Sequence, residues 1–245
     1  MGLSEILLIL AIIPSIFYLW FIYKKDKKEK EPSKLLAKIF VYGVLSASLV
    51  FSVTPLIEGI VLKFIEEDSL IYTLINAFFI VALVEETSKY LMLKESCWNS
   101  KDFNYTFDAI VYGAFCSLGF ATIENILYVF TYGFATAIVR AISAVPAHMI
   151  FGVLMGSYYG RAKLLEKYND IKGKKINIAM AITSATVLHG LYDYCLMTEI
   201  AIAKIIFFVI MIFLYVYMFV GINKLSREDE KIPMEENVKS EMQIT

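Results

Sequence analysis

Two adjacent acids, Glu85 and Glu86, interrupt the long apolar stretch 70–93. An ionisable side chain inside a membrane helix costs on the order of 3 kcal/mol or more to place, so such groups are typical of functional positions. Lys89 shares a helix face with Glu85, because the two are one turn apart, whereas Glu86 points about 100° away. The pattern predicts one carboxylate that the lysine neutralises and one that faces another part of the protein. A buried ion pair that only ties helices together is the alternative.

Further polar groups fall in other apolar stretches. The chain has two histidines, and both of them, His148 and His189, lie in such stretches. Asp193 follows His189 by one turn, and a carboxylate at that spacing can orient the imidazole for a metal ion or for general-base catalysis. Glu124 and Asn125 lie in a fourth stretch, where a single Glu could also serve helix packing alone. We expect acids and imidazoles from four helices to converge on one pocket within the bilayer.

Charge balance predicts that this pocket binds a cation or protons. The groups concerned are Glu85, Glu86, Glu124, Asp193 and Lys89. If all are ionised, four acids and one lysine leave an excess of three negative charges, which a low-dielectric interior does not tolerate. One carboxylate and two imidazoles form a ligand set of catalytic zinc with a free position for water. We therefore predict Glu124, His148 and His189 as metal ligands, with zinc as the metal. A glutamate and histidine pair that activates water without a metal is the competing mechanism.

The catalytic candidates are Glu85, Glu86, Lys89, Asn125 and Asp193. In either mechanism Glu85 or Glu86 would take a proton from water and pass it to a leaving amine. Arg140, near the end of the next apolar stretch, could pair with Asp193, with Glu124 or with a substrate carboxylate. We favour extension of the Arg140 side chain to the lipid headgroups.

The elements that carry these residues are predicted to be membrane helices. Of the 245 residues, 58% are hydrophobic, which fits an all-α polytopic bundle in the cell membrane. Seven stretches are long enough to cross about 30 Å of hydrocarbon. They lie near residues 3–23, 36–60, 70–93, 107–131, 135–160, 176–197 and 201–223. We predict a single domain over residues 1–225 and a disordered cytoplasmic tail over residues 226–245.

The loops predict the orientation of these spans. Loops 24–38 and 161–175 are rich in lysine, whereas the alternate loops 64–69, 132–134 and 198–200 are not. The positive-inside rule then puts the N-terminus outside and the C-terminus in the cytoplasm. No basic segment precedes the first stretch, so we expect it to be a retained span and not a cleaved signal. The net charge of −1 gives no support for nucleic acid as a partner.

Small residues predict close packing between two of the helices. Gly152, Gly156 and Gly160 follow His148 at four-residue spacing, and Gly113 begins a similar stripe with two further small residues. Such stripes let membrane helices approach closely, and we interpret the glycines as packing positions. His148 shares the stripe, so we expect it to face protein and not lipid.

Four segments resemble motifs of the PrsW family of intramembrane proteases. They are E-E-T-S-K (Glu85 to Lys89), F-A-T-I-E-N (Phe120 to Asn125), H-M-I-F-G (His148 to Gly152) and H-G-L-Y-D (His189 to Asp193). The resemblance covers about residues 10–200 and includes the first loop, with Asp26 and Glu31-Pro32. The related CAAX prenyl proteases would carry Arg, His and Asn where this chain has Tyr90, Glu124 and Asp193.

The resemblance implies an intramembrane metalloprotease in which the paired glutamates and the motif histidines are essential. It also implies the substrate, a single-span anti-sigma factor that is cut near the membrane on its extracytoplasmic side. This would be the first of two cuts that activate a sigma factor. Two other functions stay open from the residues alone. One is a proton- or ion-coupled transporter, since intramembrane acids and histidines also form proton relays. The other is a non-catalytic membrane scaffold.

Overall fold

The computed structural model describes residues 2–233 as a bundle of long helices. The helices are α1 (Leu3–Lys25), α2 (Ser33–Val61), α3 (Leu70–Cys97), α4 (Thr106–Tyr132), α5 (Phe134–Ile142), α6 (Ala144–Lys167), α7 (Ile171–Met197) and α8 (Ala201–Arg227). Within residues 2–233, extended pairing is limited to one isolated bridge between Tyr105 and Lys231. The prediction of an all-α polytopic bundle is confirmed.

Six of these units are long and apolar enough to cross a membrane, namely α1, α2, α3, α4, the pair α5–α6, and α8. The remaining long helix, α7, has 27 residues, but its first turns carry Lys172, Lys174 and Lys175. The seventh span that we expect in α7, and the orientation of the termini, stay predictions.

Burial separates an inner pair of helices from an outer set. In α4, 78% of the most apolar window is buried, against 28% in α1 and 22% in α8. The outer helices instead expose large apolar side chains, such as Phe208 and Ile212 of α8. So much exposed apolar surface is stable when lipid, and not water, is the solvent.

The inner helices α4 and α6 share the largest interface of the described bundle. Their backbones touch at glycines: a Cβ added to Gly152 would lie 2.4 Å from the carbonyl oxygen of Gly113, and one on Gly156 would lie 2.3 Å from that of Ala109. The prediction that the small residues are packing positions is therefore confirmed. His148 lies one turn before Gly152, so the same contact directs it into the bundle.

Three interruptions shape the helices around the polar side chains of the predicted site. α3 contains a π-helical segment, Asn76–Ala82, and such segments often occur near functional sites. The predicted span 135–160 is not one helix, because the backbone leaves helical geometry at Ser143, with φ −123° and ψ −74°. Gly133, with φ +84°, separates α4 from α5. α5 is thus a nine-residue helix with a break at each end.

Residues 226–233 differ from the prediction of a disordered tail. The Asp229 carboxylate accepts hydrogen bonds from the backbone N–H of Phe107 at 2.8 Å and from Thr106 Oγ1 at 3.2 Å. It thereby caps the first turn of α4, whose N–H groups have no partner within the helix. The backbone N–H of Ile232 donates to the carbonyl of Asn104 at 2.7 Å. The rest of the predicted tail, residues 234–245, lies outside the described residues.

Candidate active site

The eight predicted site residues meet in one cluster inside the bundle. α3 provides Glu85, Glu86 and Lys89, α4 provides Glu124 and Asn125, α6 provides His148, and α7 provides His189 and Asp193. Each side chain contacts at least one other member of the cluster, directly or through Arg140. The expected convergence of side chains from four helices on one place is what the structure shows inside the bundle.

Lys89 binds both glutamates of the E-E-x-x-K segment. Its Nζ lies 3.1 Å from Glu85 Oε2 and 2.7 Å from Glu86 Oε1, and all three side chains are buried. The sequence predicted that only Glu85 meets Lys89, whereas Glu86 contacts Lys89 as well. Glu86 also faces another helix, because it contacts His189 of α7. Glu86 Oε2 is buried and has no hydrogen-bond partner among the described residues. A buried carboxylate oxygen left in this state is available to a further cation or donor.

His189 lies between two carboxylates. Its Nδ1 is 2.9 Å from Glu86 Oε1, and its Nε2 is 3.2 Å from Asp193 Oδ2. The ring also stacks on Phe151, with the ring centroids 4.8 Å apart and an interplanar angle of 20°. Acceptors at both nitrogens and a ring on one face leave the imidazole little freedom to rotate. This agrees with the orienting role that we predict for Asp193 from its one-turn spacing.

His148 has a single tautomer that fits its two partners. Lys89 Nζ lies 3.2 Å from its Nδ1, and Glu124 Oε2 lies 3.0 Å from its Nε2. An ammonium group can only donate, so Nδ1 must accept and Nε2 carries the proton that is donated to Glu124. The lone pair of His148 therefore points towards Lys89 and the glutamate pair, and Glu124 supports the far side of the ring.

Arg140 corrects the sequence-based interpretation. Its side chain does not extend to the headgroups but turns into the bundle, where Nη2 lies 2.6 Å from Glu124 Oε2 and Nε donates to Asn125 Oδ1 at 2.9 Å. Asn125 Nδ2 in turn donates to the carbonyl of Ala11 in α1 at 2.8 Å. The sequence feature that indicates this contact is an arginine within an apolar stretch, and pairing of Arg140 with Glu124 is one of the alternatives that the sequence leaves open.

The residues present fit a divalent metal ion. One ligand atom from each of Glu85, Glu86, His148 and His189 lies within 4.8 Å of the others, and carboxylates with imidazoles are ligands that zinc prefers. With Arg140 and Lys89 both counted against four acids, the cluster keeps an excess of two negative charges, which one divalent ion would balance. In the structure the cation among these ligand atoms is the Lys89 ammonium group, which contacts Glu85, Glu86 and His148.

This group differs from the ligand set predicted from the sequence. It retains both histidines but contains Glu85 and Glu86 in place of Glu124. Glu124 instead accepts from the far nitrogen of His148 and from Arg140. A carboxylate in that position orients a ligand histidine and does not need to bind the ion itself.

A cavity of about 1100 Å³ reaches the cluster. Its polar wall includes Glu85, Glu124, His148, His189 and Asp193. Its apolar wall includes Val50, Phe51, Leu127, Ile142, Phe208 and Met211. Glu85 lines this space, whereas Glu86 lies behind it against Lys89 and His189. A cavity of this size that is mostly apolar, with a few convergent polar groups, is typical of a site that admits an organic substrate.

A lipid-facing bundle that encloses a large apolar cavity, with buried acids and imidazoles on one wall, defines a membrane-embedded enzyme. The model of the PrsW family of intramembrane metalloproteases matches residues 31–220. Protease PrsW of Oceanobacillus iheyensis is 38% identical over 76% of this chain and 80% of its own length. Protease PrsW of Clostridioides difficile is 31% identical over 92% and 94%, and that of Bacillus subtilis is 30% identical over 89% and 93%.

The chain therefore belongs to the PrsW family of intramembrane metalloproteases. It is a peptide-bond hydrolase and a multi-pass membrane protein, and its bacterial relatives agree with a location in the cell membrane. This favours the protease over the transporter and the scaffold. No solved structure matches the chain significantly.

Proposed function

We propose that this protease makes the first cut in a single-span membrane protein, by family resemblance an anti-sigma factor, close to the membrane surface. The observation that carries the proposal is the position of Glu85, His148 and His189 on the wall of a mostly apolar cavity. An apolar cavity suits a membrane-derived segment, and the polar wall offers the acid–base groups that peptide hydrolysis needs. In the orientation predicted by the positive-inside rule, Glu85, His148 and His189 lie near the middle of their spans, and Glu124 and Asp193 lie nearer the outside.

We assign Glu85 as the general base, because it is the paired glutamate that reaches the cavity. Glu85 takes a proton from the attacking water and passes it to the leaving amine. Lys89 holds Glu85 in place at 3.1 Å and limits the charge of the pair. Glu86 positions His189 from behind the cavity wall, and Asp193 positions it from the other side.

Glu86, His148 and His189 would hold a divalent ion, and we propose zinc. When bound, zinc supplies a Lewis acid that polarises water and the scissile carbonyl. The chain itself supplies the other functions: the mostly apolar cavity accommodates the substrate segment, and Glu85 moves the proton. The metal-free alternative gives Glu85 the same role, with His189 as the second group that contacts the water.

Cleavage by the purified protein tests the proposed function. The protein in detergent is incubated with a purified single-span substrate, and fragments are identified by mass spectrometry. Glu85→Gln and His189→Ala are expected to lower the rate at least about 100-fold, the usual size of a general acid–base contribution. Glu95→Gln is the matched control, since Glu95 lies on the same helix but is exposed.

Three results would contradict the proposal. Cleavage by Glu85→Gln at the wild-type rate would remove the assigned base. Ion uptake by liposomes without any cleavage would favour the transporter. A cellular phenotype that survives substitution of Glu85, Glu86 and His189 would favour the scaffold.

A further inference from the structure

Helix α5 is attached to the site by one charged side chain. Breaks at Gly133 and Ser143 separate α5 from its neighbours. Ala137 is its buried residue, whereas Ile138 and Val139 are at least half exposed. A short helix with so little burial gains little stability from packing, so its polar contacts contribute much of what determines its position.

Arg140 provides those polar contacts. Its guanidinium binds Glu124 Oε2 and Asn125 Oδ1 at 2.6 Å and 2.9 Å, and its Cζ lies 4.1 Å from the centre of the Tyr128 ring. A lysine could not reproduce two N–H donors fixed in one planar group together with the contact to the Tyr128 ring. The contacts also extend to α1, because Asn125 donates to the carbonyl of Ala11.

Glu124 holds the Nε2 side of the His148 ring. Glu124 accepts from His148 Nε2 at 3.0 Å. Lys89 at Nδ1 already selects the tautomer with the proton on Nε2, so Glu124 adds an acceptor that fixes the rotation of the ring. If Glu124 moved away, the Nε2–H would lose this acceptor and the ring could rotate. The Nδ1 lone pair would then no longer be directed at Lys89 and the glutamates. The histidine would lose the orientation that either catalytic mechanism requires.

We propose that Arg140 is a positioning residue of the protease, which holds Glu124 against His148 Nε2 and so keeps the His148 Nδ1 lone pair directed into the catalytic cluster. The inference rests on the proposed function for its effect on catalysis. Its effect on His148 is independent of that function. Arg140 also lines the cavity, but its effect on His148 runs through Glu124, so a positioning role should change kcat and not KM.

The two histidines of the chain allow a direct spectroscopic test. Protein with ¹⁵N-labelled histidine rings is stripped of metal in detergent, and the His148 signals are assigned with His189→Ala. The wild type is expected to show a protonated Nε2 and an unprotonated Nδ1 on His148. Arg140→Met is expected to keep this tautomer but to shift and broaden the Nε2–H signal, because that proton loses its carboxylate acceptor. Arg140→Lys, which keeps one charged donor, is expected to retain the wild-type Nε2–H signal in part.

Kinetics provide the second measurement. Arg140→Met is expected to lower kcat about 10- to 100-fold, with KM changed by less than about 3-fold, since a small misplacement of a catalytic group costs that much. Arg140→Lys is expected to recover part of the loss. Arg161→Met is the control, because Arg161 is an exposed arginine of α6.

The outcomes separate this inference from the proposed function. Wild-type His148 signals in Arg140→Met would overturn the inference, whatever the kinetics show. An unchanged kcat in Arg140→Met beside a cleaving wild type would also overturn it. If the wild type cleaves nothing, the proposed function fails, and the ring signals still decide whether Arg140 fixes His148. If Arg140→Met does not fold, the same two measurements on Arg140→Lys decide.

Discussion

At the scale of single residues, two neighbouring glutamates lie in different surroundings. Glu85 lines the cavity, whereas Glu86 is sealed between Lys89 and His189. Their separation follows from helix geometry, since adjacent residues point about 100° apart. Lys89 bridges the two because its long side chain reaches both directions. One lysine thus stabilises a pair of buried acids that would otherwise repel each other.

The ligand group leads to a prediction about metal affinity. Glu86→Gln and His148→Ala are expected to weaken zinc binding at least about 100-fold, because each removes a proposed ligand. Glu124→Gln is expected to weaken it no more than about 10-fold, because Glu124 acts only on the far nitrogen of His148. Metal content and zinc titration of the purified variants measure this. Equal losses of zinc affinity in Glu124→Gln and His148→Ala would instead support Glu124 as a metal ligand, as the sequence predicted.

At the scale of helices, contacts between backbones set the distances between catalytic groups. Gly190, next to His189, would bring an added Cβ to 2.5 Å from the ring of Phe78 in the π-helical segment of α3. The glycine therefore lets α7 approach the helix that carries Glu85 and Glu86. In the same way Gly113 and Gly152 bring α4 and α6 together, so that Glu124 reaches His148.

The close contact between α4 and α6 predicts that the effect of a Gly→Ala substitution on stability depends strongly on its position. Gly152→Ala is expected to lower the free energy of unfolding by about 1–3 kcal/mol, since its Cβ meets a backbone oxygen that cannot move aside. Gly59→Ala is the control: its Cβ meets nothing within 4 Å, and alanine favours helix by up to about 1 kcal/mol. Thermal unfolding in detergent compares the two. Similar stability of both variants would contradict the close contact.

At the scale of the whole molecule, polar contacts of the connecting segments stabilise the end of the bundle opposite the cavity. Glu31, in the loop before α2, is buried and accepts a hydrogen bond from Tyr112 Oη of α4. Burial raises the pKa of Glu31 to about 9, and the nearby Asp108 carboxylate adds to the increase. The Glu31 contact attaches the loop between α1 and α2 to the inner helix α4. The Asp229 cap attaches the segment after α8 to the same helix.

The raised pKa of Glu31 predicts how stability changes with pH. In the unfolded chain Glu31 loses its proton near pH 4.5, whereas the folded protein keeps the proton until about pH 9. The contribution of Glu31 to stability is therefore complete below about pH 4.5 and is lost as the pH rises towards 9. Glu31→Gln is expected to gain stability relative to the wild type across this interval, with no further gain above it.

Unfolding temperatures in detergent between pH 5 and 9.5 measure this difference. Glu95→Gln, at an exposed position of α3, is the control and should follow the wild type at each pH. A constant offset between Glu31→Gln and the wild type over the whole range would show that Glu31 is not protonated in the folded protein.

Much of this protein could be predicted from the sequence, because the relevant signals are local. The lengths of the apolar stretches predict the helices, and the helices α1 to α4 begin and end within a few residues of the expected positions. Ionisable residues inside apolar stretches mark the site, since lipid penalises them wherever they do not meet a partner. The small-residue stripes of α4 and α6 likewise indicate the helix faces that touch.

The tertiary structure decided what depends on several helices at once. Helix periodicity places a side chain on a face of its own helix, but the depth and rotation of one helix against another follow from packing. For this reason Glu124 contacts the far nitrogen of His148, while Glu85 and Glu86 lie with the two histidines in the group that could hold a metal ion. Arg140 likewise turns inward where we had expected it to reach the headgroups. The break at Ser143 and the cap by Asp229 depend on contacts between residues far apart in the chain, and no local pattern encodes such contacts.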